Sequence, residues 1–536
     1  RREVRAETDR GWEHLLAAAR AADTDPWRDR VRAAWQRTPF YHPGTANESM
    51  EHWRERIRAA GGDMGPSEAD QKELLDTAPR DLLQPTMAIY LVQTAATYPA
   101  ALAMLREAQR RQPGDFWLNR ILGLRLERVN PREAAPFFRA ALALRPESPA
   151  VMMDLGEALT KSGQFDEAIA TYDRALQLRP DFAGAHNARG AALAGEGLAD
   201  EAFAEFREAV RLRPDHWSAQ YNLGTALNNR GRFGEAVVAL RESLRLRPGN
   251  VDALINLGHA LNRSGAGDEA IAAYREAIRL RPKSGDAYSG LGAALDVHKR
   301  DYDGAIAAHR RAVELNPRDH YFHFNLGEVL ARKGDLDQAI AAYRETVRLQ
   351  PDDIEALKKL AGGLAKKRAW DEAIVVVREL IRLQPHNAEF RYALGDTLAA
   401  KGDLDEAVAA LREAIRLKPD VAGWHNYLCG LLYRKRAWAD AAAAAREAIR
   451  LKPDFAEAHC NLGQVLREQG RYKEASAALR RGHELGSRNP KWRFPSARWI
   501  KECEALASLA GINDTSPPTE LAPPPREVAP PPHPRD

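Results

Sequence analysis

Prolines recur along the chain at Pro113, Pro146, Pro180, Pro214, Pro248, Pro282, Pro317, Pro351, Pro385, Pro419 and Pro453. The successive separations are 33, 34, 34, 34, 34, 35, 34, 34, 34 and 34 residues. A spacing held over so many intervals means that one supersecondary unit is used again and again. Each proline closes a segment such as ATYDRALQLRP, EFREAVRLRP, AYREAIRLRP or AYRETVRLQP. Proline lacks the backbone N–H and blocks continuation, so it marks the end of a helix.

The stretch from Pro149 to Phe182 shows what the unit contains. Met152, Leu155, Gly156 and Leu159 follow an i, i+3, i+4, i+7 pattern, which places them on one helix face. KSGQ at 161–164 interrupts it with Gly163. A second apolar face follows: Phe165, Ala168, Ile169, Tyr172, Ala175 and Leu176. The skeleton returns as Leu223, Gly224, Leu227, Ala236, Leu240, and as Leu257, Gly258, Leu261, Ala270, Tyr274, Ala277. It returns again as Leu326, Gly327, Leu330, Ala339, Tyr343 and as Leu462, Gly463, Leu466, Ala475, Leu479. Small residues at fixed offsets let two helices approach, and large ones fill the space between them. One such hairpin cannot bury its stripe alone, whereas stacked neighbours can.

This arrangement of Leu-Gly in a first helix, Ala, an aromatic or Leu, and Ala in a second, and a closing Pro resembles the tetratricopeptide repeat family. Twelve units begin near 82, 116, 149, 183, 217, 251, 285, 320, 354, 388, 422 and 456. In the first, Ile89 stands where Gly is expected, while Ala101, Leu105, Ala108 and Pro113 fit. The last ends in RGHELGS without its proline. The unit at 285 carries one extra residue, expected in the turn around DVHKRDYDG. The resemblance implies an all-α fold, a right-handed superhelical solenoid of about twelve helical hairpins with helical caps. The array is expected over 82–487. Residues 1–81 read as a helical N-terminal cap region, in which DTDPWRDRVRAAW is a capped helix start. Residues 488–511 read as a C-terminal capping helix with Trp499, Cys503, Leu506 and Leu509 on one stripe. Residues 512–536 are proline-rich, with two APPP runs, and are expected to be disordered or polyproline II.

Composition narrows the function. Lys and Arg total 79 against 75 Asp and Glu, a formal charge of +4. That balance gives no single-sign field, so neither nucleic acid nor a membrane surface is the expected partner. No stretch of strongly apolar residues is long enough to span a bilayer, and the N-terminus has no apolar core of a secretory signal. Cys429, Cys460 and Cys503 form no CxxC pair and suit no zinc motif, so reduced thiols in the cytoplasm are expected. Cys429 replaces the small Gly of the repeat. His186, His323, His425 and His459 share the place of Met152 and read as packed repeat residues. His320 and His323 have no third ligand. GxxxxGK[ST], HExxH and GxSxG are absent, so no cofactor, metal or catalytic centre is expected. The Arg-Glu pairs of the REAIRL segments read as solvated helix faces.

What remains is a surface. On a wheel of 100° per residue, positions 4, 7, 8 and 11 of the first helix form the buried stripe. Positions 2, 6, 9 and 13 point the other way, with 5 and 12 beside them. The resemblance makes that opposite face the lining of a concave groove. It presents Tyr221, Asn222, Asn228 and Asn229, then Asn256, His259, Asn262 and Arg263. Further on come Tyr321, Phe324 and Asn325, then Lys358 and Lys366, Tyr392, Tyr433, Arg434, Asn461 and Arg467. Asparagine donates and accepts at once, so a row of them can grip a peptide backbone without reading its side chains. Asn222, Asn256, Asn325 and Asn461 share one repeat position, which resembles the asparagine ladder of the tetratricopeptide arm of O-linked N-acetylglucosamine transferases. The family's two-carboxylate clamp for chaperone tails is disfavoured, because Gly362 stands where its Asn is needed beside Lys358.

The expected function is therefore a protein-interaction scaffold binding extended protein or peptide segments. An alternative comes from the flanks. DPWRDRVRAAW, AQRRQPGDFWLN and RRGHELGSRNPKWRFPSARWIKECEAL resemble the non-catalytic C-terminal region of bacterial serine/threonine kinases that carry tetratricopeptide arrays. No glycine-rich loop, HRD or DFG is present, and the chain opens on Arg rather than Met. Under that resemblance a kinase domain lies upstream in cis, and this chain is its regulatory or docking arm.

Overall fold

The computed structural model describes residues 98–489 and 492–512. The expectations for residues 1–81, for Ile89 and for the proline-rich segment lie outside these. Among the described residues there are 24 α-helices and no strand. Tyr98–Arg111 is the second helix of the first unit, and complete hairpins follow at the expected period. In the block that ends at Pro282 they are Phe116–Glu127 with Pro131–Leu144, Pro149–Lys161 with Phe165–Leu178, Ala183–Glu196 with Ala199–Leu212, Trp217–Asn229 with Phe233–Leu246, and Val251–Ser264 with Gly267–Leu280. In the block that starts at Lys283 they are Gly285–Ala294 with Tyr302–Leu315, His320–Lys333 with Leu336–Leu349, Ile354–Lys366 with Trp370–Leu383, Ala388–Lys401 with Leu404–Leu417, Ala422–Arg434 with Trp438–Leu451, and Ala456–Glu468 with Tyr472–Gly486. Ser496–Ile512 packs on the last hairpin through Trp492, Phe494, Trp499 and Cys503, which gather around Leu479 and Leu466. Each block is an all-α stack in which a helix packs on its hairpin partner and on the next hairpin.

Sequence explains each part of the hairpin. Asp115, Asn250, Asp319, Asp353 and Asn387 cap first helices with their side chains, which satisfies amides that have no partner inside the helix. Except after Phe116–Glu127, the turn between the two helices of each complete hairpin holds a left-handed residue. Glycine supplies it at Gly163, Gly265 and Gly402, with φ of 77°, 89° and 108°. Where glycine is missing, Arg300, Arg368 and Arg436 adopt φ of 50°, 59° and 60°. The alanine that opens the second helix is fully buried in successive units, as at Ala168, Ala236, Ala270, Ala373 and Ala407. Cys429 occupies the small first-helix position and is buried, and Ala445 stands where other units place a ring, so volume is traded across the pair.

The extra residue of the unit at 285 is not a looser turn. It is absorbed as one π-helical turn, Leu295–Lys299, which ends the first helix.

The outer faces are closed by ion pairs between consecutive second helices. Arg139–Glu167, Arg378–Glu406 and Arg412–Asp440 meet at 2.6, 3.0 and 2.8 Å. Arg241–Glu269 and Arg344–Glu372 repeat the register. Lys367–Asp337 and Lys401–Asp371, at 2.9 Å, tie the end of a first helix to the start of the preceding second helix. Singly such exposed pairs contribute little, but they recur in one register along the second helices.

The repeat histidines have a structural task. The ring Nε2 of His186, His323, His425 and His459 lies 3.0, 3.0, 2.9 and 3.0 Å from the carbonyl oxygen of Pro180, Pro317, Pro419 and Pro453. Gln220 and Arg391 donate to Pro214 and Pro385 from the same position. A polar side chain here satisfies a carbonyl that the proline-terminated helix leaves open. Among the described residues no three His, Cys, Asp or Glu side chains converge as metal ligands, and no helix is long and apolar enough to cross a membrane.

Candidate interaction surface

The four shared asparagines lie half-buried along the seam between consecutive first helices. Asn222 donates from Nδ2 to Oδ1 of Asn187 at 2.9 Å, and Asn461 donates to Oδ1 of Asn426 at 2.9 Å. Asn325 donates to Ser289 Oγ at 3.2 Å. Asn256 donates to the Tyr221 hydroxyl and to Thr225 Oγ1, both at 3.3 Å. In each case the sixth residue of a unit reaches the fifth residue of the unit before it. Arg120 and Asp154 occupy the same two places as an ion pair of 2.7 Å. The amide therefore latches one repeat to the next.

Asn228 continues the seam, donating to the Asn256 carbonyl at 2.9 Å, while its own Oδ1 is buried without a partner. Asn262 is half-buried and Arg263 is exposed, its guanidinium 5.5 Å above the Phe233 ring. In the second block Tyr321 is 64% exposed beside His320, their rings 4.2 Å apart. Phe324 is half-buried against Tyr343 at 5.9 Å. Tyr392 stacks on Trp424 at 5.4 Å with an interplanar angle of 13°, and meets Tyr427 at 5.7 Å. Tyr427 donates to Asp396 at 2.8 Å, and burial beside that carboxylate pushes its phenol well above the ordinary range. Arg467 is engaged by Glu468 at 3.0 Å and Glu502 at 3.4 Å, so it ties the last repeat to the capping helix. Lys358 pairs with Glu355 on its own helix at 2.8 Å.

The repeat skeleton decides the family. A tetratricopeptide repeat model matches residues 187–251, 221–285, 291–354, 360–422 and 431–490, more than half of the chain, and a further TPR repeat model matches 156–197. The chain belongs to the tetratricopeptide repeat family. No curated protein matches it. Similar solved structures include YrrB, described as a TPR protein with an unusual peptide-binding site, at 24% identity over 37% of this chain and 99% of that one, with a TM-score of 0.32. Yeast Tom70 is 16% identical over 75% of this chain and 97% of its own, with a TM-score of 0.30. A MamA protein is 28% identical over 32% of this chain and 92% of its own, with a TM-score of 0.29.

Within this tetratricopeptide array, reading the sequence missed three things. The fifth-position partners Asn187, Ser289 and Asn426 complete the latches. Tyr427 and Trp424 join Tyr392 in one aromatic cluster. The fourth-position polar residues hook the proline carbonyls. The signal for the first was present, because polar residues at positions 5 and 6 of successive units recur together.

Proposed function

We propose that this array is a protein-interaction scaffold that takes extended protein segments along its first-helix face. The observation that carries the reading is the contrast between faces. Consecutive second helices are joined by recurrent ion pairs on their outer side, while the first-helix face keeps exposed and half-buried amides and rings. In the first block that face comprises Tyr221, Asn222, Asn228, Asn256, Asn262 and Arg263, and in the second Tyr321, Phe324, Asn325, Tyr392 and Arg467. An amide has two N–H donors and a carbonyl acceptor. One N–H spent on the preceding repeat orients the group, so what remains meets a peptide backbone at reduced entropic cost. The three thiols are free and buried, with Cys429 and Cys460 pushed up to about 12, which suits work in the cytoplasm.

The test is capture of partners from a lysate by the 536-residue chain, followed by titration of the best partner against Tyr321→Ala and Arg263→Glu. Loss of about tenfold in affinity from either change supports the face, since exposed aromatics and Arg carry such energy at interfaces. Wild-type affinity in both overturns it. A second reading makes the array the docking arm of a serine/threonine kinase encoded upstream, and it is supported by the flank resemblance, part of which forms the Trp492–Phe494–Trp499 cap. The coding sequence upstream of Arg1 decides it.

A further inference from the structure

The helix Ala422–Arg434 contains two glycines that its own fold does not require. A β-carbon added to Gly423 or to Gly430 would meet nothing within 4 Å. Glycine in a helix interior, as at Gly430, is unfavourable relative to alanine, and here no close approach within the chain compensates for it. Gly430 lies between two rings on one face of the helix, Tyr427 three residues before and Tyr433 three residues after. Gly423 lies two turns earlier. Gly362 occupies the same repeat position as Gly430 and is equally open, but Lys359 and Ala365 flank it. Among the described residues, the bare floor with aromatic walls is thus particular to this unit.

The walls are held in place from behind. Tyr392 packs on Tyr427 at 5.7 Å and stacks on Trp424, and Trp438 packs edge-on against Tyr433 at 5.0 Å. Tyr427 and Tyr433 are further tethered to Asp396 and Glu468 at 2.8 and 3.4 Å. Two open floors seven residues apart are separated by about 10 Å at the helical rise of 1.5 Å per residue. A polyproline helix repeats every three residues, about 9 Å. Flat, rigid proline rings pack against aromatic walls of this kind, and the preformed helix has little entropy to lose.

We propose that the two gaps of Ala422–Arg434 are a docking site for the proline-rich C-terminal segment of the same chain, its APPPREVAPPP run at residues 522–532. The occupant follows from where that segment starts. It continues directly from Ser496–Ile512, whose Glu502 is joined to Arg467, next to the Glu468 that holds Tyr433. The helix carrying the gaps touches Ala456–Glu468, which in turn touches Ser496–Ile512. Two helix spacings amount to about 20 Å, and ten residues, as many as separate Ile512 from Pro523 in the sequence, can reach up to about 33 Å. Arg526 stands between the two proline runs in the sequence, and its positive charge complements the carboxylates of Asp396 and Glu468 that hold the ring walls. This site deepens the first-helix-face reading, on which it rests.

The experiment uses the 536-residue chain with a photocrosslinking residue at Pro524, mixed in equal parts from isotope-labelled and unlabelled preparations. The expected adducts join residue 524 to the Tyr427–Tyr433 segment within one chain. Gly430→Leu, which fills the gap, removes them, and Gly362→Leu does not. Free APPPREVAPPP peptide at millimolar concentration, the range of a tethered segment's effective concentration, lowers the unsubstituted chain's adduct yield by about half. That arm needs no substitution at Gly430. Adducts that join two chains, that fall elsewhere, or that resist the free peptide overturn the proposal. External-partner binding lost through Tyr321→Ala stands or falls separately, so the two readings fail in distinguishable ways.

Discussion

Gly258 lies so near Tyr274 that a β-carbon on it would stand 2.6 Å from the ring Cε1. The same approach recurs at Gly123 with Phe138 and at Gly327 with Tyr343. It sets the distance between the two helices of a hairpin. Gly258→Leu is therefore expected to cost about 1–3 kcal/mol by overpacking, seen as a lower thermal midpoint by circular dichroism. Arg279→Ala, on a fully exposed face where Arg279 pairs only with Glu276, is expected to leave the midpoint in place. Equal effects would contradict the assignment of faces.

Arg436 holds a left-handed backbone, φ 60°, where sister repeats use glycine. That conformation costs a side-chain-bearing residue about 1–2 kcal/mol. Arg436→Gly should raise the midpoint, and Gly402→Arg should lower it. A drop on Arg436→Gly would mean that the arginine side chain contributes more than its backbone strain costs.

His309 takes the ring position of the unit at 285, packed on Gly292, with Nδ1 buried and unpartnered. Burial lowers its imidazole from 6.5 to about 4. The folded state thus favours the neutral ring, and the unfolded chain binds the proton first. Stability should be full above pH 6.5 and fall as pH drops from 6.5 towards 4, by up to about 3 kcal/mol. His309→Leu, the residue type of Leu240 and Leu411, should flatten urea midpoints across that window. An unchanged pH slope would show that another group is responsible.

The latch between repeats is testable as a pair. Asn222→Ala and Asn187→Ala should each lower stability by about 0.5–1.5 kcal/mol. The double variant should cost less than their sum, because one hydrogen bond is removed twice. Additive losses would mean that the 2.9 Å contact contributes nothing.

The hairpins were legible because burial follows the stripe at positions 4, 7, 8 and 11, and Leu155, Gly156 and Leu159 are buried where the wheel puts them. The seam was not. A wheel describes one isolated helix, on which Asn222 faces away from the core. Only a neighbouring first helix reveals that its amide points to Asn187. The same blindness hid the histidines, since Pro180 and His186 meet across a turn that no helical period describes. The π-turn at Leu295–Lys299 escaped because an inserted residue carries no mark of whether a loop or a helix absorbs it.

The central claim is that the first-helix face, and not the outer face, receives partners. Tyr321 on a first helix and Val375 on a second are exposed alike, 64% and 66%. A photocrosslinking residue at each, in otherwise identical chains presented to the captured partner, compares the faces directly. Adducts are predicted from position 321 and none from 375. Adducts from 375 with none from 321 would contradict the account.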